Sequence, residues 1–158
     1  MLRFVVLSLC LALATSHLCL LYPPQRGSLS GVNEPGATDC ALTTSSCGDR
    51  PEEQPSVAFQ GNKLYHFTLQ KNLNHYNPEG PGYLEISWAP PTDLFSRTIL
   101  YRSSDFNTTS PWIIDAPVEL PSAGTPTHIV ILAQYRTNAP EPVPAAFYQC
   151  ADILIYET

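Results

Sequence analysis

Apolar residues in this chain come in short runs, either alternating with polar neighbours or gathered into β-branched clusters. Proline, glycine and asparagine interrupt them at intervals of about ten to fifteen residues, and no stretch carries the period of a long helix. The pattern predicts strands over Ser56–Phe59, Lys63–Gln70, Gly82–Trp88, Ile99–Arg102, Trp112–Ile114, His128–Tyr135 and Ala146–Tyr156. Turn segments such as Asn77-Pro78-Glu79-Gly80-Pro81-Gly82 and Asn138-Ala139-Pro140 separate them. Seven short strands spaced in this way indicate an all-β antiparallel sandwich. Residues 22–55 differ, being rich in Gly, Ser, Thr and Pro and holding Cys40 and Cys47. They read as a long loop pinned by disulfides. No internal repeat is present.

Arg3, the apolar stretch Phe4–Ala14 and the small residues Ala14-Thr15-Ser16 have the layout of a secretory signal. The expectation is a signal peptide over residues 1–16, a mature chain beginning at His17 and a single domain over 17–158; cleavage after Ala14 is the competing site. The apolar run is too short to cross a bilayer and no second run follows. The end, Ile155-Tyr156-Glu157-Thr158, offers no hydrophobic tail for a lipid anchor. A freely secreted extracellular protein without a membrane span is therefore expected.

Composition refines this picture. With 158 residues, 44% of them hydrophobic, the chain can build one core despite its 16 prolines. Loss of Arg3 leaves seven of the eight basic residues against fourteen acidic ones, a formal charge of −7. No basic footprint for nucleic acid exists, while metal cations would be weakly attracted. Five cysteines become four when Cys10 departs. Cys19, Cys40, Cys47 and Cys150 then make an even set, and two disulfides are expected in an oxidising compartment. All three pairings are open; the expectation preferred here joins Cys40 to Cys47 and Cys19 to Cys150. Zinc binding by these cysteines suits neither their spacing nor secretion. Asn107-Thr108-Thr109 is a glycosylation sequon in a polar, loop-like stretch.

Other chemistry finds little footing. Neither a glycine-rich phosphate loop nor an H-E-x-x-H pair is present, and no Gly-x-Ser-x-Gly elbow supports a serine nucleophile. Glu52-Glu53 is the one carboxylate pair, on a segment expected to be solvated.

A chain starting at His17 offers two nitrogen donors from one residue, the free α-amine and imidazole Nδ1. The α-amine has an ordinary pKa near 8, so a metal displaces its proton far more readily than a lysine's. A second histidine would complete three nitrogens in a plane, an environment that suits copper. His66 and His128 lie in predicted strands, whereas His75 sits in the turn-like segment Lys71–Pro78. Ligands are well placed on loops carried by a rigid sandwich, which favours His75. Cys19 occupies the third mature position, so the short terminal motif with histidine there is not available.

His17-Leu18-Cys19-Leu20 followed by Pro23-Pro24-Gln25-Arg26-Gly27 resembles the start of secreted relatives of the lytic polysaccharide monooxygenases. More specifically, it resembles the copper-acquisition-factor-like domain. Three further segments agree: Asp39-Cys40 through Ser46-Cys47-Gly48, Gln70–Tyr76 with Pro81-Gly82, and Phe147–Ile153. The resemblance spans nearly the whole mature chain. It implies an immunoglobulin-like β-sandwich with copper held by His17 and His75 in a histidine brace. It also implies an aromatic residue on the axial side of the metal, Phe147 or Tyr148, of which only one can serve because strand neighbours face opposite ways. An aspartate is implied near the copper, with Asp152 and Asp105 as candidates. Ordinary core packing and a satisfied strand-end carboxylate are the competing readings for these residues.

Three functions follow. The first is copper(II) binding without turnover, serving extracellular uptake, transfer or sequestration, with a membrane copper transporter or a polysaccharide as further partner. The second is a copper-dependent monooxygenase acting on chitin-like polysaccharide, to which Tyr22, Tyr76 and Trp112 would lend a binding face. The third is a metal-free adhesion or matrix module. Copper binding without enzymatic activity is the expectation carried forward.

Overall fold

A computed structural model describes residues 17–157; the expected signal peptide lies outside the described residues. Eight strands follow in order: β1 His17–Tyr22, β2 Val57–Gln60, β3 Leu64–Leu73, β4 Tyr83–Ala89, β5 Thr98–Ser104, β6 Trp112–Glu119, β7 Thr127–Arg136 and β8 Ala146–Tyr156. Among the described residues the one helical element is a 3-10 turn at Thr38–Cys40. Three strands form a sheet in the order β1-β3-β6, and five form a second sheet in the order β2-β8-β7-β4-β5. All pairs are antiparallel except β2, which lies parallel to β8 at an edge. This is the expected immunoglobulin-like sandwich, with a long disulfide-pinned loop between β1 and β2.

Successive side chains point to opposite faces of each strand, and the inward-facing sets of the two sheets pack against each other. On β6, Ile114, Ala116 and Val118 are buried while Ile113, Asp115 and Pro117 look outward. Pro117, which cannot donate to a ladder, is tolerated because β6 is an edge strand. On β8, Phe147, Ala151, Ile153 and Ile155 enter the main core, where they meet Leu18, Leu20, Phe67, Leu69, Leu84, Ile86 and Ile131 from the other strands. Phe67 has no exposure and packs against Phe59 at 5.5 Å and Tyr22 at 6.4 Å between ring centroids. Phe67→Ala is expected to cost about 3–5 kcal/mol through lost transfer energy and a residual cavity. A shift in the urea midpoint checks this, and a loss below about 1 kcal/mol would contradict such close packing.

β1 does not appear among the strands read from the sequence, because His17–Tyr22 is apolar without alternation. The structure shows the cause. Leu18 and Leu20 face the main core, while Cys19 and Leu21 pack outward beneath the loop, in a small cluster with Ala37 and Cys40. Both faces are covered, so no period of two survives.

The disulfide expectation is corrected. Cys19 joins Cys40 with a Cα–Cα distance of 4.8 Å, and Cys47 joins Cys150 at 5.1 Å. Cys19 and Cys150 sit on the outer faces of different sheets, so each bonds to the stretch of loop lying over its own sheet. The loop is thereby clamped to both sheets. Buried Asn72 adds a polar clamp: its Oδ1 accepts from the Gly36 and Ala37 amides, and its Nδ2 donates to the Val32 and Glu34 carbonyls.

Candidate metal centre

The β1–β3 register places His17 opposite Leu73, two residues before His75. A register shift between His17 and Leu18 leaves Asn72 as an extra residue in β3. Such a bulge re-aims a side chain, and here His17 and Leu18 are both buried. The His17 ring stacks on Phe147 with 6.3 Å between centroids and 11° between planes. Phe147 is fully buried, and its strand neighbour Tyr148 lies on the opposite face of β8, where its amide donates to the Leu42 carbonyl. Of the two aromatic candidates, the structure brings Phe147 to His17.

His75 follows β3 in a turn fixed from several sides. The Asn74 side chain accepts from the Tyr76 amide at 3.1 Å, closing an Asx turn. The Asn74 amide donates to Ser110 Oγ at 2.8 Å. The His75 amide donates to the Tyr135 hydroxyl at 3.3 Å. Tyr135 lies opposite Phe147 in the β7–β8 ladder, with 6.5 Å between ring centroids. A continuous run of packed groups, His17–Phe147–Tyr135–His75, therefore closes one end of the sandwich.

Behind it candidate Asp105 forms a buried polar pair with Lys71, a residue that sequence reasoning missed. Lys71 Nζ donates to Asp105 Oδ1 at 2.5 Å and to the Phe106 carbonyl at 2.7 Å, and neither Lys71 nor Asp105 exposes its side chain. The Tyr135 hydroxyl donates to Asp105 Oδ2 at 2.8 Å. Lys71 Nζ also stands 5.3 Å from the centre of the Tyr135 ring. Burial pulls the Lys71 ammonium below the ordinary lysine range, and the Asp105 contact restores part of that loss. Burial, then the Asp105 charge, pushes the Tyr135 phenol well above its ordinary value, so it stays protonated at neutral pH. With both oxygens engaged, Asp105 is one layer removed from the histidines and supports His75 through Tyr135. One signal was available in the sequence: Lys71 continues the inward positions Phe67 and Leu69.

The other candidates lie elsewhere. Asp152 is five residues beyond Phe147 on β8, about 16 Å at the usual rise, and on the opposite face. Its carboxylate accepts from Arg26 Nε at 2.6 Å, Arg26 Nη2 at 2.8 Å and the Glu53 amide at 3.2 Å, and contacts His128 Nε2 at 2.9 Å. In this position Asp152 ties the long loop to β8. Burial raises its carboxyl, but Arg26, His128 and the Glu53 amide outweigh that and hold it below the ordinary value of 3.8. Stability drawn from a lowered carboxyl is present above its unfolded value and lost as pH falls through its folded one. The thermal midpoint should thus fall below about pH 4. Asp152→Asn should start less stable at pH 7 and lose less on acidification; parallel curves for the two proteins would contradict this role.

His66 pairs with Asp115 at 2.7 Å on the exposed outer face of β3 and β6, away from His17 and His75. Tyr22 ends β1 at the opposite end from His17 and packs on Phe59 and Phe67, so it does not join a face around the histidines. Trp112 and Phe106 do border that end: Trp112 pairs with Lys71 in the β3–β6 ladder, and both aromatics are partly exposed. Asn107 is exposed on the same loop.

Among the described residues, no three His, Cys, Asp or Glu side chains gather as a metal-holding group. In a chain that began at His17, the α-amine would stand beside the His17 imidazole as a further nitrogen donor. Two imidazoles and an amine on a rigid sheet end fit a metal that favours nitrogen. No helix among the described residues is long and apolar enough to cross a membrane.

No family model matches the chain, and no curated protein matches it. Solved structures do. A lytic polysaccharide monooxygenase of the AA15 class from Thermobia domestica, in a Cu(I) state, is similar over 90% of this chain and 100% of its own, with 17% identity and a TM-score of 0.57. A lytic polysaccharide monooxygenase from Cellvibrio japonicus, described as important for efficient utilization of chitin, covers 87% of this chain and 98% of its own, with 12% identity and a TM-score of 0.52. At these identities the likeness concerns the fold, and the chain has the β-sandwich fold seen in lytic polysaccharide monooxygenases.

Proposed function

We propose that the chain is a secreted copper(II)-binding protein of the copper-acquisition-factor-like kind. In this reading residues 1–16 are removed and residues 17–158 form a single copper-binding domain. The His17 amine and Nδ1, with the His75 imidazole, form the brace. The observation that carries the reading is the β1–β3 register, which sets His17 against Leu73, two residues from His75. Copper, when bound, would supply a redox-active cation that prefers nitrogen ligands. The protein's residues do the rest. Phe147 keeps one side of the His17 ring apolar and closed to water. Tyr135 fixes the backbone at His75, and Asp105 with Lys71 fixes Tyr135. Extracellular uptake, transfer or sequestration of copper is the role that follows.

Exposed Trp112 and Phe106 near the histidines, together with the fold shared with lytic polysaccharide monooxygenases, favour oxidation of a polysaccharide as the second reading. One assay separates the two. The copper-loaded secreted protein is incubated with chitin, a reductant and peroxide, and the soluble fraction is analysed for oxidised oligosaccharides. The carrier reading expects none above the metal-free control. Release that depends on copper and is abolished by His75→Ala would establish the monooxygenase instead.

A further inference from the structure

We propose that Asn107 carries an N-linked oligosaccharide that overhangs the end of the sandwich bearing His17 and His75 and screens it from large partners. This rests on the secretory reading above, because the sugar donor, a lipid-pyrophosphate-linked oligosaccharide, is met on that route. In the transfer, Asn107 Nδ2 forms a bond to the anomeric carbon of the donor. The bond from that carbon to the lipid pyrophosphate breaks, the pyrophosphate leaves with the electron pair, and the amide gives up one proton. Nothing is oxidised or reduced.

The structure orients such a glycan. Asn107 and Thr109 of the sequon are both exposed. The loop that carries them is fastened to the end of β3 in three ways. Lys71 binds Asp105 and the Phe106 carbonyl at its start. The Asn74 amide donates to Ser110 Oγ at 2.8 Å near its end. In the middle, Asn74 Nδ2 donates to Asn107 Oδ1 at 2.8 Å. That last bond occupies the oxygen of Asn107 and leaves Nδ2, the atom that accepts sugar, outside it. Asn74 directly precedes His75, so the attachment point is one hydrogen bond and one peptide unit, with a Cα spacing of about 3.8 Å, from the proposed ligand.

Two aromatics give the sugar a surface. Phe106, directly before the sequon, is 41% exposed, and Trp112, the ladder partner of Lys71, is 44% exposed. Covering them removes apolar area from water, and an attached glycan is bulky. A small ion still passes beneath such a cover, whereas a flat polymer does not. The glycan therefore favours exchange of a small ligand over polysaccharide docking at this end.

The test uses the full chain secreted from a glycosylating host. Intact mass is compared before and after peptide N-glycosidase and against Asn107→Gln, and all three forms are subjected to hydroxyl-radical footprinting. The proposal expects a glycan at Asn107 and several-fold slower oxidation of Phe106 and Trp112 in the glycosylated form, with Phe95 and Tyr22 oxidised at equal rates in all three. An unmodified Asn107, or Phe106 and Trp112 rates that ignore the glycan, would overturn it. Copper retention is measured on the same samples. If no form holds copper, the metal reading fails while the footprint still decides the glycan.

Discussion

His75→Ala, or acetylation of the amine of a chain that begins at His17, should weaken copper(II) binding by more than about 100-fold. Mutations of groups that merely orient a ligand already cost 10–100-fold, and each change here removes a donor outright. Acetylation is the sharper probe because it leaves every side chain in place. The β1–β3 ladder and the His17–Phe147 stack do not depend on a charged terminus, so folding should be unaffected. Extending the chain by one residue acts in the same way. His66→Ala and His128→Ala should leave affinity unchanged, since these residues are engaged with Asp115 and Asp152 on outer faces. Competition against a chelator of known affinity measures all five proteins. Were His66→Ala the damaging change, the ligand assignment would be wrong even with the brace intact.

The second large effect is on folding. Asp105→Ala strands the Lys71 ammonium in a fully buried position with only the Phe106 carbonyl and two aromatic faces as company. Breaking a buried pair from one side costs about 3–5 kcal/mol, a large share of a typical domain's stability. The Tyr135 hydroxyl loses its acceptor at the same time, which loosens the bond to His75. Replacing both partners, Lys71→Met with Asp105→Leu, removes the stranded charge and should recover most of the loss. Urea unfolding of the two variants gives the comparison. A double variant as unstable as Asp105→Ala would show that the pair contributes something other than mutual charge compensation.

Alternation made the outer part of β3 legible, where His66 and Thr68 face away from Phe67 and Leu69. β4, β7 and β8 are buried on both faces over most of their length and were read nearly to their ends from apolar, β-branched runs such as Ile129–Leu132 bounded by turn residues. β1 escaped because the loop covers its outer face, so that His17–Tyr22 carries no alternation. β3 was stopped three residues short at Gln70, since Lys71 and Asn72 look like turn residues until their partners, Asp105 and the loop backbone, are known. The even cysteine count gave two disulfides, but pairing depends on which sheet each strand joins, and a one-dimensional pattern holds no such information. For the same reason Asp105 and Asp152 were indistinguishable: both are single acidic residues near strands, and only the fold sends one towards Tyr135 and the other to Arg26. His17 and His75 were singled out by the chemistry of a terminal histidine and by loop placement, and the register sets them at one end of the sheet.

The most direct test of a copper brace at the mature terminus is intact mass spectrometry of the secreted protein, native and denatured, after one equivalent of copper(II). The account predicts a chain that begins at His17, carries two disulfides and retains one copper ion that an acetylated terminus does not hold. A chain beginning elsewhere, or one beginning at His17 that leaves the copper in solution, would contradict it.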